Sequence, residues 1–245
     1  MAHRTTRTAS DSQLPLAQPP SRGARPSRPG WPEIAAGAVG LVVVTLGLSS
    51  LVKGLDLDPV LHGLFLTALA GVGGIAGFTA ALVLRIRDLG AFGVRRTSGR
   101  WILVALGAGV VAFALKSLGI VAWIQLFGEG ENVQSPYAAG GSGGAATLIL
   151  ATAFLTLLTP LGEELLFRGV LTNALLRHGP AVGVIGSALV FAVSHGFSTV
   201  FPAAFAVGLI TAEVFRRSGS IWPAVVVHAV HNLPTVPAMV LAAAG

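Results

Sequence analysis

An all-α, polytopic transmembrane helical bundle of about seven to eight spans is the fold class this chain predicts, and three observations predict it. Hydrophobic residues make up 53% of the 245 positions and charged residues 11%, and the mean hydropathy is +0.77. Those values are wrong for a water-soluble domain and right for an integral membrane protein. The apolar residues fall into successive runs near the roughly 20 residues a helix needs to cross the hydrocarbon core. The basic residues sit at the ends of those runs. Arg4, Arg7, Arg22, Arg25 and Arg28 precede the first, and Arg85, Arg87, Arg95, Arg96 and Arg100 follow the second. The net charge of +6 therefore reads as membrane orientation rather than nucleic-acid binding. With no cysteine in the chain, disulfides, thiolate nucleophiles and thiolate metal ligands are excluded.

Taken in order, residues 1–30, rich in Arg, Pro, Ser and Thr, have too little apolar content to fold and read as a disordered basic cytoplasmic tail. The first apolar run lies behind this long basic arm and has span length, so it reads as a retained anchor and not a cleaved signal. Spans are expected near Pro32–Leu51, Val60–Leu84, Trp101–Phe127, Ala145–Phe167, Ala181–His195, Val200–Phe215 and Ile221–Leu241. With a cytoplasmic amino terminus, RIRDLGAFGVRRTSGR, RGVLTNALLRHG and RRSGS all fall inside, so every basic loop obeys the positive-inside rule. The loop from Gly128 to Gly144 carries Glu129 and Glu131 without a basic residue and divides the chain. Residues 31–144 are expected to be scaffold helices, with Gly73 and Gly77 spaced for close helix approach, and residues 145–245 a catalytic membrane domain. The cell membrane is the expected location, multi-pass. The composition, rich in Ala, Gly, Val and Arg, is bacterial in character.

The second half carries the chemistry. LGEELLFRGVL sets Glu163, Glu164 and Arg168 in an apolar run, where ionised groups are costly unless they pair or line a wet cavity. Glu164 and Arg168 are four residues apart, acid first, and can neutralise each other on one helix face. Glu163 points about 100° away and stays free to act as a base or ligand. The same three side chains could equally form a buried ion network for packing alone. His195 lies four residues after Phe191, sharing its face, and His228 and Asn232 repeat that spacing on the last span. His231 points elsewhere on this reading and bonds a neighbouring carbonyl. Depth is the difficulty, because the rise of about 1.5 Å per residue puts His228 roughly 10 Å beyond Ile221 and His195 roughly 20 Å beyond Ala181. A break at Pro160, Pro234 or Pro237 would relieve it, as would a single helix through Glu163 to Arg177, partly in the bilayer and partly amphipathic.

Glu163, Glu164 and Arg168 as EExxxR, Phe191 and His195 as FxxxH, and His228 and Asn232 as HxxxN resemble, in order, the motif set of a family of intramembrane endopeptidases. This is the CAAX-protease and bacteriocin-processing family, also called the Abi, type II CAAX prenyl endopeptidase or Rce1-like family. The resemblance covers roughly Ala145 to Gly245. It implies hydrolysis of a peptide bond in a membrane-associated peptide or lipidated protein, in some members after a prenylated cysteine. On that reading Glu163 is the general base toward a water that His195 helps hold, and His228 and Asn232 donate to the developing oxyanion, a contact whose loss costs about 3 kcal/mol of barrier. Glu164 and Arg168 would keep the Glu163 helix in register, with Phe191 supporting His195. These residues fix no cofactor, and zinc is the possible one. Glu163, His195 and His228 would also make three ligands for zinc, and the residues fit a metal-bound and a metal-free mechanism alike. Two other classes stay open: a small transporter, whose internal repeat is not evident, and a non-catalytic scaffold or immunity protein. A serine protease would have to use Ser187 or Ser194.

Overall fold

The computed structural model describes residues 28–128 and 134–244. Most of the basic tail and the loop acids Glu129 and Glu131 lie outside the described residues. Within them the chain is helical throughout, with α1 at Trp31–Lys53, α2 at Pro59–Leu84, α3 at Gly99–Phe127 and a short α4 at Ser135–Gly141. The second half contains α5 at Ala145–His178, α6 at Val182–Ser194, α7 at Val200–Ser218, α8 at Ile221–Asn232 and α9 at Thr235–Ala244. Five stretches are long and apolar enough to cross a membrane: α1, α2, α3, α5, and α8 with α9 taken as one. α6 is apolar but shorter, and α7 ends in the charged set Glu213, Arg216 and Arg217. The protein is a multi-pass helical membrane protein, with large apolar side chains such as Val43, Leu103 and Leu126 turned outward where a bilayer would cover them.

Local chemistry sets the helix ends. Asp58 accepts hydrogen bonds from the Val60 and Leu61 amides, with Pro59 at the first helical position of α2. Glu33, fully buried, accepts from the Gly30 amide at 2.8 Å and pairs with Arg85 at 2.8 Å, tying the start of α1 to the end of α2. Ser220 caps α8 and donates to the Arg95 carbonyl at 2.7 Å, joining the loop after α2 to the second half.

α2 is the central post. Gly73 and Gly77, expected to allow close approach, do so against α1: a methyl on Gly73 would meet the Thr45 side chain, and one on Gly77 the Gly37 carbonyl. Gly71 and Gly74 turn to α5 instead. There the backbones of α2 and α5 touch at Leu158 and Gly162, so a methyl on Gly74 or Gly162 would overlap the other helix. Gly162 immediately precedes Glu163, which makes this contact the seat of the polar site.

α5 is one unbroken run of 34 residues, about 50 Å long at helical rise. It is the single helix through Glu163 to Arg177, and it accounts for the depth of Glu163 against His195. Counted back from its end, Glu163 lies about 20 Å below His178, and the antiparallel α6 brings His195 a similar distance down from Ala181. The two therefore meet. α5 widens into π-helical turns at Phe154–Leu158 and Leu165–Thr172, either side of the glutamates.

Candidate active site

Pro160 explains the first widening and one of its consequences. In the wider turn the Thr159 amide reaches the Phe154 carbonyl, five residues back. The next bond in that register would run from residue 160 to the Leu155 carbonyl, and proline has no N–H to give. The Asn232 side-chain amide fills the vacancy, donating from Nδ2 to the Leu155 oxygen at 3.0 Å. Asn232 thus locks α8 to α5 about two turns before the glutamates, and its second amide hydrogen remains uncommitted.

Glu164, fully buried, is shared between two partners. Its Oε2 lies 2.9 Å from Arg168 Nε, as the four-residue spacing predicts, and its Oε1 lies 2.8 Å from His228 Nδ1. The expected role of holding the helix in register is therefore accompanied by a second, orienting His228 from a different helix. Arg168, also fully buried, donates from Nε to Thr211 Oγ1 at 2.8 Å, with Nη2 against the same oxygen, and its guanidinium stacks 4.8 Å from the centroid of Phe191. Thr211 passes its own hydrogen to the Val207 carbonyl at 2.8 Å. Phe191 is the hub of this cluster, with ring centroids 4.8 Å from Phe167, 4.5 Å from His195 and 5.9 Å from His228.

Glu163 is buried and faces both imidazoles. Its Oε1 is 3.8 Å from His195 Nε2, and its Oε2 is 3.8 Å from His228 Nε2. Glu163 Oε2 makes no hydrogen bond. The tautomers follow from the other ring nitrogens. His195 Nδ1 meets the Phe191 carbonyl at 2.8 Å and His228 Nδ1 meets the Glu164 carboxylate, and both are acceptors. Each Nδ1 therefore carries the hydrogen, and each neutral ring turns an Nε2 lone pair toward Glu163. A carboxylate between two lone pairs lacks a donor. A water molecule has two hydrogens to give, one to the Glu163 carboxylate and one to an imidazole Nε2.

All four residues expected to act directly, Glu163, His195, His228 and Asn232, line one cavity of about 930 Å³. Among the described residues, no three His, Asp or Glu side chains are arranged to hold a metal ion. Ligands bound at about 2.0–2.2 Å to one tetrahedral ion sit roughly 3.3 Å apart. Here each imidazole stands 3.8 Å from a different oxygen of Glu163. Oxygen and imidazole donors suit zinc, but their arrangement does not close on one ion, and no step below passes through a metal.

His231 was expected to point elsewhere and to bond a neighbouring carbonyl, and its buried Nδ1 makes no hydrogen bond among the described residues. It nevertheless lines the same cavity, with its ring 6.1 Å from that of His228. Residues three apart share a helix face as surely as residues four apart. Ser187 is fully buried and donates to the Gly183 carbonyl, and Ser194 donates to the Phe191 carbonyl at 2.7 Å. Thr211, Tyr137 and Lys116 were not legible as site residues. Thr211 is an uncharged residue on an apolar helix, and the other two lie in the half read as scaffold. Only Lys116 carried a signal, as a charge inside an apolar run.

Comparison with known proteins addresses this half of the chain. Residues 145–234 match the family model described as Type II CAAX prenyl endopeptidase Rce1-like, a stretch that contains Glu163, Glu164, Arg168, Phe191, His195, His228 and Asn232. No curated protein and no solved structure matches the chain. The segment that builds the buried Glu163, His195 and His228 cluster is thus the part of the chain that is similar to the Rce1-like, type II CAAX prenyl endopeptidase family.

Proposed function

We propose that the protein is an intramembrane endopeptidase that hydrolyses a peptide bond of a membrane-associated peptide or lipidated protein, using a water activated by Glu163. The observation that carries this reading is Glu163 held between two Nε2 lone pairs in a buried, cavity-lining cluster. Water bound there gives one hydrogen to the Glu163 carboxylate while His195 Nε2 accepts the other in a hydrogen bond, and its oxygen attacks the substrate carbonyl carbon. The carbonyl oxygen becomes an oxyanion. It is met by the uncommitted N–H of Asn232, beside His228. Glu164 orients His228 through its Nδ1 hydrogen at 2.8 Å. On collapse the carbon–nitrogen bond breaks and the leaving amine takes the proton held on Glu163. Arg168 and Phe191 position this machinery and do not touch the reacting atoms.

The geometry favours hydrolysis over transport because the polar groups are locked to one another and to backbone carbonyls, as a fixed catalytic cluster is. The N-terminus is assigned to the cytoplasmic side, by the positions of Arg85, Arg87, Arg95, Arg96 and Arg100 at one end of the bundle. The experiment compares peptide termini in membranes holding the wild-type protein with those holding Glu163→Gln at equal expression. New termini confined to the wild type establish a peptidase and expose its sequence preference. Identical termini across peptide and prenyl-peptide panels return the protein to the scaffold or immunity class.

A further inference from the structure

The cavity extends from the catalytic cluster toward one end of the bundle. α1 and α3 start at the basic end, and they line the cavity from their later parts, with Thr45 on α1 and Ile120 and Ile124 on α3. α2 and α7 run the opposite way and line it from their earlier parts, with Thr67 on α2 and Val200 and Ala203 on α7. α8 and α9 continue it past His228 to Ala238 and Met239. Antiparallel alternation therefore carries the space away from the basic loops. Its rim includes Ser194, exposed, and Thr199, half-buried, at the turn from α6 to α7.

The other end is packed shut. Toward it from Glu163, the buried side chains of Leu166, Val170, Ile86 and Val214 belong to one continuous core. The loop after α2 folds across that core. Phe92, fully buried, meets the Phe78 ring edge-on at 5.5 Å, Asn173 Nδ2 donates to the Ala91 carbonyl at 2.8 Å, and the Ile221 amide donates to the Gly93 carbonyl at 3.0 Å. A close-packed interior holds few voids larger than a water molecule, so a peptide would have to unpack this core to reach Glu163 from that end. Arg87, Arg95, Arg96, Arg177 and Arg217 stand at the closed end, which the positive-inside rule makes cytoplasmic. Resting on the peptidase reading above, we propose that the active site opens to the extracytoplasmic face and that its substrate is a peptide segment presented there. Such a segment comes from an exported peptide or from the outer flank of a membrane-anchored protein. A substrate offered only on the cytoplasmic face, including a lipid-modified C-terminus held in the inner leaflet, meets the closed end.

The chain has no cysteine, so single cysteines report the opening directly. Thr199→Cys at the rim and Ala203→Cys one turn deeper are treated, in the full-length protein, with a charged, membrane-impermeant methanethiosulfonate in intact cells and in inverted membrane vesicles. Ser98→Cys, at the exposed start of α3, marks the closed end. Both cavity variants are expected to react in intact cells and to be spared in inverted vesicles, with Ser98→Cys showing the reverse. Ile124→Cys replaces either cavity variant that does not accumulate. Reaction of the cavity variants only in inverted vesicles, or from neither face, overturns the inference, as does reaction of Ser98→Cys in intact cells. The peptide termini that depend on Glu163 are then sorted by the side of the membrane on which they arise. Termini in exported peptides or in outer flanks support the substrate assignment and tell the two sources apart. Termini confined to cytoplasmic segments overturn it and leave the peptidase reading intact. If no terminus depends on Glu163, the peptidase reading and the substrate assignment fall together, and the thiol reactions alone decide where the cavity opens.

Discussion

Arg168 shows how a charge survives at the centre of an apolar bundle. It faces Glu164 at 2.9 Å, Thr211 at 2.8 Å and the Phe191 ring, with no exposure to solvent. Removing one member of a buried pair leaves the other charge uncompensated, which costs about 3–5 kcal/mol. Arg168→Met is therefore expected to lower the unfolding midpoint in detergent sharply, and unchanged midpoints would mean that Glu164 is not held as described. Thr211→Val is expected to cost about 1–3 kcal/mol by withdrawing a buried acceptor, while Thr211→Ser, which keeps it, stays near wild type in the same melt. The Glu164 and Arg168 pairing was legible from their spacing, since helix geometry alone joins residues four apart. The bonds from Glu164 to His228, Arg168 to Thr211 and Asn232 to Leu155 were not, because each joins different helices and no sequence spacing encodes them.

At the scale of elements, the catalytic stretch is held by backbone contact on one side and a side-chain amide on the other. Gly162 has no room for a methyl against Gly71, so Gly162→Ala is expected to destabilise by about 1–3 kcal/mol through overpacking and to displace Glu163. Activity should then fall by more than the loss of folded protein explains, as seen by comparing specific rates with folded fractions from gel filtration. Span positions were largely legible, because each is a long apolar run. Two features were less so. The extension of α5 to His178 lies in mixed sequence beyond the apolar run, and the carbonyl left by the first π-helical turn is bonded by Asn232 of the packed α8, which no sequence spacing encodes.

Across the whole molecule, the two halves share one cavity. α2 seats Glu163, α3 brings Lys116 to the cavity wall, and the matched family segment supplies the cluster between them. The absence of cysteine makes topology directly measurable. A single cysteine at Ser10 should react with a membrane-impermeant maleimide only when the cytoplasmic face is exposed, and one at Gly128 only from the opposite face; the reverse pattern would refute the orientation. The central claim is that Glu163 activates the water that cuts a peptide bond, and the most direct measurement is the hydrolysis rate of purified, liposome-reconstituted wild type against Glu163→Gln of equal thermal stability. The account predicts wild-type cleavage and a loss of about 10²–10⁴-fold in kcat on removing the base. A Glu163→Gln rate equal to the wild type's would contradict it.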